Sequence, residues 1–372
     1  MEYRKFDNLG VTSSLLGFGC MRFPLNEDGT INEVEAEKMI DLAIENGVNY
    51  IDTAYPYHKG DSEPFVGKVL KKYDRDSFTL ATKLPIWEIN CKEDVLKIFN
   101  EQLKRLDVDY IDFYLLHALD QEKWETVIKY DILSICDELK AQGKIKYLGF
   151  SFHDNYEVFE RILNSRKWDF CQLQLNYMDM DIQAGQRGHD LAKAMGVPIV
   201  VMEPIKGGAL ANLPEKQANY LLNKDSEASL SSWALRYVGT LDNVKVILSG
   251  MSTIDHVEDN IKTFKNFKPL NKEELRLIEN VAYTLKLKTQ NGCTGCAYCM
   301  PCPFGVNIPN NFRYWNTAYI YEDHDTFKKK LLNMKESFAD QCKKCGMCEK
   351  MCPQQISIRD DLEKIVKYVK EK

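Results

Sequence analysis

The chain has 372 residues, 44% of them hydrophobic, and a formal net charge of −6. That length is more than one small core needs, so two domains, or one large domain with an appended module, are expected. The acidic balance excludes the basic footprint of a nucleic-acid binder, and no apolar run approaches the ~18–20 residues of a membrane span.

The opening Met1-Glu2-Tyr3-Arg4-Lys5-Phe6 has no apolar segment ahead of a cleavage site. A soluble, cytoplasmic protein with no nucleic-acid or membrane partner is expected. Residues 1–15 read as a short hairpin plugging the floor of a barrel. Apolar strands then alternate with amphipathic helices. Strands are expected at 15–17, 50–52, 78–82, 111–116, 147–150, 170–175, 199–202 and 246–248. Helices are expected near 33–46, 62–72, 92–105, 122–142, 155–165, 186–195, 227–238 and 254–265. Gly47, Gly143 and Gly196 mark helix stops. Eight strand–helix units over about 265 residues have the rhythm of an α/β chain folded as a (β/α)8 TIM barrel. A doubly wound sheet would usually bring a Gly-x-Gly-x-x-Gly turn after its first strand. Gly17-Phe18-Gly19 is followed by Cys20-Met21-Arg22, so that fingerprint fails.

Polar residues stand where these strands end. Asp52 closes the second, with Tyr57 five residues on; Lys83 closes the third and His117 the fourth. In such a barrel, strand C-termini form the mouth where catalytic residues sit. The segments Asp52-Thr53-Ala54-Tyr55-Pro56-Tyr57, Ala81-Thr82-Lys83 and Leu115-Leu116-His117 resemble the tetrad of the aldo-keto reductases, and the resemblance runs from about residue 3 to 267. It implies reduction of a carbonyl, or oxidation of an alcohol. Hydride transfer leaves an alkoxide that needs a proton, and a phenol near pKa 10 is a poor acid unless tuned. Lys83 beside Tyr57 is expected to lower that pKa. Asp52 would hold Lys83, and His117 would orient the carbonyl. The family spacing selects Tyr57 over Tyr55.

The resemblance also implies a nicotinamide site. Ser151 matches the serine of a Ser-Asn pair whose asparagine is missing here, and Gln172 matches the glutamine on strand six. The aromatic that normally stacks on the nicotinamide is replaced by Met202. Gly19, Cys20 and Met21 lie at the mouth after strand one. After strand eight, Gly250, Ser252, Thr253 and His256 stand where the family reads the adenosine 2′-phosphate with lysine and arginine. Asp259 and Asn260 match the pair that contacts adenine. The pyrophosphate could use backbone N–H groups at Ser252-Thr253. NAD(P)H with weakened NADPH preference, NADH, or no nicotinamide remain open. Trp87, Ile86, Tyr55, His153 and Tyr177 are candidate pocket walls.

A connecting helix is expected over 271–290, between a barrel at 1–270 and a module at 291–372. Eight of the 12 cysteines fall in that module. The runs are Cys293-x2-Cys296-x2-Cys299-x2-Cys302-Pro303 and Cys342-x2-Cys345-x2-Cys348-x3-Cys352-Pro353. The second matches the run of the bacterial two-cluster ferredoxins, whose fourth cysteine serves the other cluster. Carried over, Cys293, Cys296, Cys299 and Cys352 would hold one [4Fe–4S] cluster. Cys342, Cys345, Cys348 and Cys302 would hold the second, with the gap before Cys302 one residue short. Zinc sites would usually use separated CxxC pairs instead. The 39 residues between Cys302 and Cys342, with a helix near 325–335, resemble a mainly helical dicluster ferredoxin-like domain. The whole chain thus resembles the ferredoxin-fused aldo-keto reductases. The scattered Cys20, Cys91, Cys136 and Cys171 are expected as small core residues.

A cluster passes single electrons, whereas a hydride carries two. A flavin would bridge that mismatch, although no flavin fingerprint is visible. Three readings stay open: relay to or from a ferredoxin-like or flavoprotein partner, a nicotinamide reductase with structural or sensing clusters, or a non-catalytic electron carrier. Lys343, Lys344 and Lys350 could dock an acidic partner.

Overall fold

The computed structural model describes residues 1–371. The chain divides into two compact units: Met1–Pro204 with Ser231–Leu270, and Ile205–Leu230 with Asn271–Lys372. The stretch Ile205–Leu230, placed inside the barrel domain by the sequence, therefore groups with the cysteine-bearing unit.

In the first unit β1 (Tyr3–Phe6) and β2 (Val11–Ser14) pair as an antiparallel hairpin. Eight parallel strands follow and close into a barrel. They are β3 (Leu16–Gly19), β4 (Tyr50–Asp52), β5 (Thr79–Leu84), β6 (Ile111–Leu119), β7 (Ile145–Phe152), β8 (Phe170–Gln174), β9 (Ile199–Met202) and β10 (Val244–Ser249), with β10 beside β3. The apolar runs read as strands because each is buried on both faces; every residue of β6 is buried. Phe6 of the hairpin packs with Tyr50, Phe113, Phe170, Val200 and Val246 inside the barrel, so the expected plug is present. Gly17 serves this packing: a Cβ there would meet Val246 Cγ1 at 2.6 Å. Its role is close approach between strands rather than phosphate binding.

Differences from the expected elements have local causes. The single helix expected over 122–142 is two, Gln121–Lys129 and Ile132–Ala141. They break at Asp131, whose φ is 54°, a conformation an aspartate tolerates better than most residues. Strand β6 runs past His117: regular pairing stops at Leu116 and resumes at Leu119, with Ala118 at φ 55° between them. His117 thus sits on a bulge, which re-aims a side chain at a barrel rim. Cys91 is exposed at the start of the helix Lys92–Leu106, where Asp94 accepts its backbone N–H (3.1 Å), rather than being a core residue.

The second unit is helical, with Lys272–Lys286, Ile308–Ile320, His324–Leu332 and Ile358–Lys370 as its longer elements. The connecting helix is shorter than expected because it ends at Lys286. Helix Ile308–Ile320 was not foreseen. Asn307 caps it, accepting the Asn310 N–H, and Pro309 lies in its first turn. Phe312, Trp315, Leu331, Ile358, Leu362 and Ile365 form its core, and Cys293, Cys299, Cys302, Cys342, Cys348 and Cys352 pack against that core.

Candidate active site and cysteine module

The β4 and β5 termini deliver Asp52 and Lys83 to the same point. Lys83 Nζ donates to both Asp52 carboxylate oxygens and to the Thr53 carbonyl, each at 2.7 Å. Lys83 is 0% and Asp52 2% exposed. A second buried layer fixes the lysine's backbone: Gln102 Nε2 donates to the Lys83 carbonyl (3.0 Å) and to Glu63 (2.8 Å). Sequence reasoning missed Glu63 and Gln102; their signal was a polar residue on each of two core-facing helices. Tyr57 opens a tight turn held by positive φ at His58 and Lys59. The Lys83 ammonium lies 5.1 Å from the Tyr57 ring centre. The His117 ring stands 6.2 Å from that of Tyr57 and nearly perpendicular to it, with Trp87 at 5.0 Å on His117. Tyr55 is engaged elsewhere, with its hydroxyl on Glu101 (3.2 Å) and Arg105 over its ring (4.1 Å). Asp52, Tyr57, Lys83 and His117 therefore converge.

The charges do not act as expected on Tyr57. Burial pushes its phenol well above 10, reinforced by Asp52, Cys20 and Glu203, while Arg22 pulls it down. Burial outweighs the lowering expected from Lys83, whose ammonium is committed to Asp52 and Thr53. Burial also pulls His117 well below 6.5, assisted by Lys83 and His153. At neutral pH the site thus presents an uncharged phenol and an uncharged imidazole.

A model of the aldo/keto reductase family matches residues 15–282. The chain belongs to that family. An oxidoreductase of Bacillus subtilis, YqkF, is 24% identical over 75% of this chain and 96% of its own length. L-galactose dehydrogenase of Arabidopsis thaliana is 26% identical over 75% of this chain and 93% of its own. The NADH-specific methylglyoxal reductase of Escherichia coli is 29% identical over 44% of this chain and 54% of its own. Among solved structures, an aldo-keto reductase from Bacillus halodurans in its holo form superposes with a TM-score of 0.64, 28% identity, and coverage of 76% of this chain and 96% of that one. A 4Fe-4S dicluster domain matches residues 292–358. No helix among the described residues is long and apolar enough to cross a membrane.

Around the reductase mouth, Ser151 and Gln172 are direct partners across β7 and β8. Ser151 Oγ accepts the Ala118 N–H (2.7 Å), and Gln172 Nε2 donates to Met202 Sδ (3.4 Å). Gln172 Oε1 is buried with no hydrogen-bond partner among the described residues. Gly19 lies close to β10: a Cβ there would stand 3.3 Å from the Ser249 carbonyl oxygen. Cys20 is fully buried and its N–H donates to the Asp52 carbonyl (2.8 Å). Met21 is half-buried. After β10, the Ser252 hydroxyl donates to the Arg22 carbonyl (2.8 Å), and the Ser252 N–H is already used by His256 Nδ1 (3.3 Å). Thr253 caps the helix Ile254–Lys265 through the His256 N–H. Asn260 is tied to Ser249 Oγ at 2.8 Å, beside a half-buried Asp259. Arg22 was not singled out by the sequence. Its side chain occupies the space left by Gly250, where a Cβ would meet Arg22 Cγ at 2.7 Å. Ile86 and Tyr177 are buried and His153 is half-buried, and the Tyr177 hydroxyl has no partner among the described residues.

In the second unit Cys299, Cys302, Cys342, Cys345 and Cys348 line one cavity of about 440 Å³, with Pro301, Phe304 and Met347. Burial pushes Cys293 and Cys299 up to about 12, and the charges of Cys296 and Cys352 add to the shift of each. Cys352 therefore lies near Cys293 and Cys299, and Cys302 shares its cavity with Cys299 and with the second triplet. Among the described residues no three His, Cys, Asp or Glu side chains converge tightly enough for a single ion. Cysteine thiols packed against the apolar core of this unit are the donor chemistry that iron–sulfur clusters use.

Proposed function

We propose that this reductase reduces a small carbonyl compound, or oxidises the alcohol, at the Tyr57 site with a nicotinamide dinucleotide, and that its second unit holds two [4Fe–4S] clusters. The observation that carries the first part is the buried Lys83–Asp52 pair set beside Tyr57 and His117. A bound nicotinamide supplies the hydride. His117, uncharged, donates a hydrogen bond to the carbonyl oxygen and fixes its orientation. Tyr57 passes its proton to the forming alkoxide. An alkoxide is a far stronger base than a phenolate, so the raised pKa does not block this transfer, and it keeps Tyr57 protonated at neutral pH. The resulting phenolate is stabilised by the cations of Lys83 and Arg22, while Asp52 keeps Lys83 in place.

Gln172 Oε1 supports the nicotinamide reading, since a buried acceptor without a partner suits the N–H2 of a carboxamide. Ser151 adjoins it. Arg22 would face the pyrophosphate, with the N-terminus of helix Ile254–Lys265 behind it. Residues 250–256 contain no lysine or arginine, and Asp255 lies among them, so NADH is preferred over NADPH. Similarity to an NADH-specific reductase points the same way.

Cys293, Cys296, Cys299 and Cys352 would hold one cluster, and Cys302, Cys342, Cys345 and Cys348 the other. Such clusters supply single electrons. The relay reading fits the exposure of Lys343 and Lys350 near the second group, a surface for an acidic ferredoxin-like or flavoprotein partner. The test is anaerobic purification with iron and sulfide assays, then titration with NADH and NADPH while cluster absorbance is followed. About eight irons per chain and bleaching by NADH are expected. Zinc without iron would overturn the cluster reading. Turnover driven by dithionite alone would support relay, and strict dependence on NADH would favour clusters that are structural.

A further inference from the structure

Lys83 stands where its strand has lost a neighbour. The Thr53 N–H donates to the Ala81 carbonyl (2.9 Å), and β4 pairs with β5 no further than Asp52 opposite Ala81. Carbonyls two residues apart on a strand point to the same side, so the Lys83 carbonyl faces an edge that β4 no longer covers. Its donor comes from the helix Lys92–Leu106 instead. Gln102, on that helix's buried face with Val95, Phe99 and Leu106, donates from Nε2 at 3.0 Å. The amide is held in one orientation. Tyr114 donates its hydroxyl to Gln102 Oε1 (2.7 Å), while Nε2 also donates to Glu63 Oε1 (2.8 Å), an oxygen that the Thr82 hydroxyl reaches at 2.6 Å. Gln102, Glu63, Thr82 and Tyr114 are all fully buried. A satisfied polar network in a low-dielectric interior is rigid.

Arg105, three residues along the same helix and so on the same side, carries this network to the Tyr57 loop. Its guanidinium lies 3.5 Å from Glu63 Oε2, 2.5 Å from Glu101 Oε1 and 4.1 Å from the centre of the Tyr55 ring. Tyr55 donates its hydroxyl to Glu101 Oε2 (3.2 Å) and precedes Tyr57 by two residues. Arg105 also backs the tight turn Tyr57–Gly60, where a Cβ on Gly60 would stand 3.6 Å from Arg105 Nη1. Glu101, Gln102 and Arg105 of one helix therefore touch both pieces of chain that bear Tyr57 and Lys83.

We propose that Gln102 and Arg105 are positioning residues for proton transfer, fixing Lys83 and Tyr57 against each other from a single helix. This rests on the Tyr57 reading above and deepens it. Neither residue touches substrate. The Lys83 ammonium lies 5.1 Å from the Tyr57 ring centre, and its hold on a forming phenolate weakens as that distance grows. Gln102 sets the Lys83 end of the distance through the backbone, and Arg105 sets the Tyr57 end through Tyr55 and the turn. The nicotinamide candidates Ser151 and Gln172 stand on β7 and β8, away from this helix, so dinucleotide binding is left alone.

The test uses the full chain, purified anaerobically, with NADH and benzaldehyde as the probe carbonyl. Gln102→Leu should lower kcat about tenfold, short of the ~10²-fold cost of a 1 Å misplacement at a reacting centre. Arg105→Lys keeps the charge but loses the planar fork that spans Glu63, Glu101 and Tyr55, and should lower kcat about threefold. In both variants the Kd for NADH should stay within about twofold of wild type, and the solvent isotope effect on kcat should rise as proton transfer becomes limiting. Arg105 is partly exposed, so Arg105→Lys decides the outcome if Gln102→Leu does not fold. An unaltered kcat and isotope effect in the variants that fold would overturn the proposal, as would an NADH affinity that falls in step with kcat. Unchanged turnover in Tyr57→Phe, or none in the wild type, would instead sink the Tyr57 reading, and this inference with it.

Discussion

At the barrel mouth the buried charges are already partnered. Lys83 and Asp52 are nearly inaccessible to water and share two 2.7 Å bonds, so the site is organised before any ligand arrives. In the second unit burial pushes Cys293 and Cys299 up to about 12 and Cys348 up to about 11, and neighbouring cysteines disfavour ionisation further. Those thiols become thiolates only when a metal takes the proton's place. One region is pre-organised by strands and the other by what it binds. Each should therefore respond to a different perturbation.

The largest expected effect is on chemistry alone. Tyr57→Phe removes the proposed proton donor and nothing that holds the fold. Carbonyl reduction should fall by about 10²–10⁴-fold, the usual worth of general acid catalysis, with iron content unchanged. Single-turnover hydride transfer measures the first and a ferrozine assay the second. Unchanged turnover would remove Tyr57 from the mechanism.

Iron removal tests the other half of the comparison. Chelation under reducing conditions should speed hydrogen exchange over residues 291–358 by roughly 10³-fold, the ~4 kcal/mol contributed by a ligand at a thousand times its Kd. Strands β3 to β10 should keep their protection. Equal loosening of the barrel would show that its organisation also depends on the metal.

A smaller effect is expected at the nicotinamide end. Gln172→Leu removes the buried Oε1 acceptor and its donor contact to Met202. NADH should bind about five- to tenfold more weakly, the ~1 kcal/mol of one hydrogen bond, while the clusters titrate as before. Fluorescence titration with NADH reads this directly, and unaltered affinity would place the carboxamide elsewhere.

What the sequence disclosed follows the same division. The barrel was legible because strands buried on both faces leave uninterrupted apolar runs, and Tyr50–Asp52 and Ile199–Met202 fall where those runs predict. The cysteine spacing was legible because ligand chemistry fixes it. Asp131 was not, since nothing in Lys129-Tyr130-Asp131 resembles a helix breaker, yet its φ of 54° separates two helices. Arg22 was hidden for a related reason. Its place beside Gly250 depends on the closure of β10 against β3, a contact between residues more than two hundred positions apart. The contact of Gly207 with Thr294, whose carbonyl oxygen would stand 2.0 Å from a Cβ on that glycine, is hidden likewise, because a loop after β9 reads in sequence as part of the barrel.

The smallest effect is a predicted absence, and it bears on how the barrel mouth handles charge. In the proposed mechanism reduction needs Tyr57 protonated. An ordinary phenol is half ionised near pH 10. A raised pKa means that the proton is retained to higher pH, so kcat/KM for reduction should stay level through pH 10 instead of halving there. His117 shifts the opposite way. A depressed imidazole pKa keeps the ring neutral to lower pH, so no acid limb should appear at 6.5. His153, pulled down to about 4 by burial, adds none above that value. The free enzyme's kcat/KM profile should thus be a plateau from about pH 6 to 10, wider than unshifted groups would allow. An alkaline limb near pH 8 would mean that Lys83 and Arg22 outweigh burial and Asp52. The phenol would then be tuned by cations at the mouth, and the site would depend on its charges much as the cysteines depend on their metal.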